Sequence, residues 1–103
     1  MTHRSRLATA LVLAITPLLA QAQSADLGRD LAATCANCHG TNGRVVGDTV
    51  KPLAGVSADK IVAAMADFKS GAQPATIMHQ IAKGYTDDQT KAIAAFFAAQ
   101  KPR

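Results

Sequence analysis

Cys35-Ala36-Asn37-Cys38-His39 places two thiols three residues apart and an imidazole directly after the second. That is the C-x-x-C-H pattern of c-type haem attachment. Each thiol can add to one haem vinyl group, and His39 then brings a nitrogen beneath the iron as proximal ligand. Thioether links keep the porphyrin in place even when an iron ligand lets go.

Three other chemistries compete for these residues. A thioredoxin-like redox pair needs a strand–helix setting, and no alternating strand pattern accompanies the motif. A structural zinc needs four ligands, which Cys35, Cys38, His39 and His79 just supply. The motif can also be accidental. Haem is the reading that agrees with the rest of the chain.

An iron held by His39 either takes a second protein ligand or stays open. Histidine plus methionine is the electron-transfer arrangement, because a soft thioether favours ferrous iron. Met78 lies 39 residues after His39, in a short segment between Pro74 and Gly84, where a loop can fold over the far haem face. Met65 shares a helical stripe with Ile61 and Phe68, which is the usual place of a core methionine. His79 competes with Met78, but adjacent helical residues point about 100° apart, so only one of them can face the iron. Met78 is the preferred ligand, with His79 and Met65 as alternatives.

The elements that must position these groups are short helices. Leu27, Leu31 and Cys35 share one face of a first helix from about Asp26 to Ala36, with Ser24 or Asp26 as its cap. A glycine-rich stretch from Gly40 to Gly55 follows. Ser57 opens a second helix carrying Ile61, Met65 and Phe68, and Gly71 ends it. A short helix around Thr76–Lys83 is closed by Gly84. Thr86 with Gln89 forms a capping box for the last helix, whose inward side is Ile93, Phe96 and Phe97.

Residues 1–22 read as an export signal. His3, Arg4 and Arg6 precede the apolar run Leu7–Ala20, and Ala20-Gln21-Ala22 offers small residues at the cleavage positions. The run is shorter than the ~20 apolar residues of a stable membrane span. Cleavage after Ala22 leaves a single domain over 23–103, placed in the periplasm, where a simple disulfide is chemically possible.

Composition sharpens the haem reading. Of 103 residues 22 are alanine, and residues 23–103 hold only 18 of the Val, Ile, Leu, Met, Phe or Tyr type. A domain of that size is marginal on burial alone, so it asks for an apolar group from outside the chain. The net charge of +4 is too small for a dedicated nucleic-acid binder.

With these residues in view, the chain resembles the class I cytochromes c over the whole of that small domain. Cys35 to Gly43 opens the likeness, and Thr76-Ile77-Met78 with Ile81-Ala82-Lys83-Gly84-Tyr85-Thr86-Asp87 continues it. Within the family it is most similar to the cytochrome subunits of flavocytochrome c sulfide dehydrogenases and related small bacterial monohaem cytochromes. The resemblance implies an all-α fold of three to five helices around one covalently bound haem c. It implies Met78 as axial ligand, and a crossing of first and last helices at Gly28 and Phe96. It implies electron transfer rather than catalysis, with a redox protein as partner and the flavoprotein subunit of a sulfide dehydrogenase as one candidate.

Two departures stand out. Family members carry Pro-x-Leu-Ala-Gly after the haem motif, and here the run is Lys51-Pro52-Leu53-Ala54-Gly55. Pro52 is the expected carbonyl partner of His39, with Val50 and Lys51 as alternatives. The residue after the axial methionine is often glycine, and here it is His79. Lys83 and Tyr85 on one side, and Asn42 and Arg44 on the other, are candidate haem propionate contacts. Three functions follow: a free carrier, a fixed electron-relay subunit, or a ligand-binding haem sensor with an open iron site.

Overall fold

The computed structural model describes residues 25–102. The export signal expected over 1–22 and the candidate cap Ser24 lie outside the described residues. Four helical segments carry the fold, and no strand occurs among the described residues.

The first segment, α1, spans 25–39 in three pieces: α-helix over 25–32, a 3-10 turn at Ala33–Cys35, and an α-turn at Ala36–His39. Asp26 is not the cap expected of it. It lies inside the helix and pairs with Arg29 one turn on, Nη2 to Oδ1 at 3.0 Å. The segment extends past Ala36, so both cysteines and His39 sit on helical backbone.

The second helix, α2, runs Ala58–Ser70, with Ser57 at its N-terminus and Gly71 closing it in the left-handed conformation. Ile61 and Met65 of its apolar stripe are buried, which makes Met65 a core residue as its spacing suggests. The third, α3, is the six-residue Met78–Lys83. The fourth, α4, runs Asp87–Ala98, and its capping box is complete. Thr86 Oγ1 accepts from the Gln89 amide at 3.1 Å, and Gln89 Oε1 accepts from the Thr86 amide at 2.9 Å. That satisfies two amides a helix start otherwise leaves bare.

Helix α2 packs on both α3 and α4 around Ile61, Met65, Ala82, Ile93, Ala94 and Phe97, joined by Ala32 of α1. The α1–α4 crossing is close at Gly28. A Cβ added at Gly28 would stand 2.5 Å from the Ala92 carbonyl oxygen and 3.5 Å from Phe96 Cβ. Glycine costs a helix interior about 1 kcal/mol relative to alanine, so the residue is retained for contact, not for helix formation. No helix among the described residues is long and apolar enough to cross a membrane.

Candidate haem site

The segment that carries the motif ends sharply. Gly40, with φ 77°, stops α1 one residue after His39. The chain then makes a short turn over Thr41–Gly43 and heads into the glycine-rich loop. Gly43 pins that loop: its carbonyl accepts from the amides of Leu53 (2.9 Å) and Ala54 (3.1 Å). Gly43 has φ 75°, and a Cβ there would stand 2.7 Å from the Ala54 nitrogen. Farther on, the Gly55 amide donates to the Phe97 carbonyl at 2.9 Å, fastening the loop to α4.

The pinned loop presents a carbonyl to the imidazole. His39 Nδ1 lies 2.8 Å from the Lys51 carbonyl oxygen. A carbonyl only accepts, so Nδ1 carries a proton and donates, and Nε2 is the ring nitrogen left for a metal. The partner is thus Lys51 rather than Pro52. Gly43 fixes the register of Leu53 and Ala54, and in that register the amide carbonyl just before Pro52 meets His39.

The two thiols differ. Cys35 is half-buried and packs against the core, whereas Cys38 is exposed, and both are free. Burial pushes the Cys35 thiol up from its ordinary value. Hydrogen bonds from the Thr34 side chain and its own backbone amide pull it partly back. A free pair three residues apart on helical backbone, followed by an imidazole with Nε2 available, has the donor chemistry that haem attachment asks for.

The apolar surroundings fit a haem as well. Leu31, Leu53, Val56, Val62, Phe68 and Met78 pack against the buried core while remaining only partly covered. Ile77, beside Met78, is 58% exposed. The zinc set does not assemble: among the described residues no three His, Cys, Asp or Glu side chains are grouped to hold one ion.

Met78 opens α3 and rests against the core cluster. His79 turns to a pocket it shares with Phe68, Gln73, Pro74 and Lys83, with Nδ1 buried and unpartnered. The candidate propionate contacts are otherwise engaged in two cases. Arg44 Nε donates to the Lys101 carbonyl at 2.8 Å. The Tyr85 hydroxyl lies 2.7 Å from Thr34 Oγ1. That last contact spans 51 residues of chain and has no signature in the sequence.

Comparison with known proteins agrees with the geometry. The cytochrome c family model matches residues 25–101. The cytochrome subunit of sulfide dehydrogenase from Chlorobaculum tepidum is 39% identical over 70 residues, covering 68% of this chain and 63% of the relative. The thiosulfate dehydrogenase electron acceptor from Stutzerimonas stutzeri is 37% identical over 67 residues, 62% of this chain and 31% of the relative. Cytochrome c-554(548) from Halomonas halodenitrificans is 30% identical over 83 residues, 78% of this chain and 100% of the relative. The chain thus spans less than two thirds of the first two relatives and the whole of the third. With an all-helical fold around a C-x-x-C-H segment and a family model that covers nearly every described residue, this chain belongs to the cytochrome c family, and its prosthetic group is covalently bound haem c.

Proposed function

We propose that residues 23–103 form a single-haem electron carrier, with Cys35 and Cys38 as thioether anchors and His39 and Met78 as the axial ligands. Bound haem supplies one-electron ferric–ferrous chemistry. The chain supplies attachment, orientation and exclusion of water. His39 donates its Nδ1 proton to the Lys51 carbonyl, which fixes the ring and raises the basicity of Nε2. Met78 offers a thioether from a short helix packed on the core, and with His39 it would fill the positions on a haem iron that a substrate needs. Converting both thiols to thioethers removes the Cys35 titration altogether.

The single observation that carries this reading is the His39–Lys51 hydrogen bond, because it engages Nδ1 and leaves Nε2 as the nitrogen for a metal. The test is optical. Wild-type ferric protein should show a weak near-infrared sulfur-to-iron band. Met78→Ala should abolish it, and Met65→Ala should leave it. A band that survives in Met78→Ala overturns the assignment and reopens Met65, His79 and the open-iron sensor.

The partner inferred is another redox protein outside the cytoplasm, met in small, short-lived contacts. The likeness to a sulfide dehydrogenase cytochrome subunit favours a second reading, in which the chain is the electron-relay subunit held on a sulfide-oxidising flavoprotein. Size-exclusion of native extract separates the two. A fixed subunit co-elutes with a heavier flavin-containing chain, and a diffusing carrier elutes alone.

A further inference from the structure

Thr34 and Tyr85 join the haem-motif helix to the segment that bears Met78. Thr34 Oγ1 donates to the Leu31 carbonyl at 3.2 Å. The Thr34 and Tyr85 hydroxyls lie 2.7 Å apart, so one donates to the other. Thr34 directly precedes Cys35. Tyr85 is held at three points. Its hydroxyl reaches α1, its amide donates to the Ala82 carbonyl of α3 at 3.3 Å, and its carbonyl accepts from Lys69 Nζ of α2 at 2.7 Å. Lys69 is steadied in turn by Asp87, 3.5 Å away.

The segment that enters the other end of α3 is tied to α2 through the Gln73 amide, which donates to the Asp67 carbonyl at 3.2 Å. Residues 72–77 form no regular helix, and Ile77 makes no side-chain cap to α3. Helix α3 is under two turns long; its first residue is Met78, and its last turn leads into Tyr85.

We propose that the Tyr85 hydroxyl is a latch: its bond to Thr34 holds α3 against α1 and sets how often Met78 leaves its ligand position. The proposal rests on the assignment of Met78 as axial ligand. Tyr85 is a positioning residue, acting through Met78. An external ligand competes for the iron only when Met78 has swung away, so its apparent affinity scales with the open fraction. Loss of one neutral hydrogen bond changes that fraction about two- to tenfold.

Imidazole titration of the ferric holoprotein tests it, with wild type, Tyr85→Phe, Thr34→Val, the double variant and Thr34→Ser. Both singles should bind imidazole about two- to tenfold more tightly. The double should bind no more tightly than the stronger single, because both remove the same bond. Thr34→Ser keeps the hydroxyl and should match wild type. All should retain the sulfur-to-iron band before imidazole is added. Effects that multiply in the double variant, or singles that match wild type, overturn the latch while leaving the ligand assignment intact. A wild-type protein without the band, binding imidazole as tightly as Met78→Ala does, overturns the ligand assignment and the latch with it. If Tyr85→Phe does not fold, the Thr34→Val and Thr34→Ser pair decides: equal affinities overturn the latch.

Discussion

His39 meets a backbone atom of Lys51, so on the proposed ligation the identity of the Lys51 side chain matters little to the iron. Lys51→Ala keeps the carbonyl and should leave the reduction potential and the sulfur-to-iron band where they are. Pro52 is another matter, because its ring stiffens the chain that delivers that carbonyl. Pro52→Ala should lower stability by about 0.4–1 kcal/mol, mainly by loosening the unfolded chain. Paired thermal melts and potentiometric titrations check both statements, and a potential that moves in Lys51→Ala counts against a purely backbone role. The same pair shows where sequence reading stops. C-x-x-C-H announces the thiols and the imidazole because the chemistry needs those groups at that spacing. The carbonyl partner is offset by one residue from the proline, because the register is set by Gly43 accepting from Leu53 and Ala54. Such a register depends on through-space contacts that no local pattern encodes. The Thr34–Tyr85 bond was illegible for the same reason.

At the scale of helices, local signals do better. Thr86 and Gln89 cap α4 reciprocally, as their three-residue spacing predicts, and Met65 falls in the core with Ile61. Both features depend on neighbours within a turn or two. The break of α1 into a 3-10 turn at Ala33–Cys35 was not readable, since alanine and threonine tolerate either geometry. Thr86→Ala should cost about 1 kcal/mol in denaturant unfolding, the usual size of a lost N-cap. Gly28 gives the more discriminating test, because two rules oppose each other there. Alanine in its place improves helix propensity by about 1 kcal/mol. Its methyl carbon, however, meets the Ala92 carbonyl oxygen at 2.5 Å, and that partner is backbone, which cannot rotate away. Overpacking of this kind costs about 1–3 kcal/mol. The clash should win, so Gly28→Ala should unfold at lower denaturant than wild type. A more stable variant would mean that α1 slides on α4 freely.

The whole molecule is held by less than its helix count suggests. Among the described residues the buried apolar set is Ala32, Ala54, Ile61, Met65, Ala82, Ile93, Ala94 and Phe97. Four of these eight are alanines, which bring no side chain beyond a methyl group. The larger apolar residues Leu31, Leu53, Val62, Phe68 and Met78 are only partly covered by protein. A chain with so small a core gains a large part of its stability from a group that binds the folded form and not the unfolded one. On the proposed site, haem would do so twice, through apolar contact with such half-covered side chains and through its bonds to the chain. Covalent attachment makes that gain independent of haem concentration. Cys38→Ala should therefore lower the yield of folded protein as well as the degree of attachment. The haem-free chain, made without thioether formation, should keep some helical signal in far-ultraviolet circular dichroism. It should lose the near-ultraviolet signature of fixed packing and melt without a sharp transition. A haem-free chain that unfolds cooperatively, near the midpoint of the holoprotein, would place the stability in α2, α3 and α4 alone. The haem would then be a passenger on a finished fold and not its missing core.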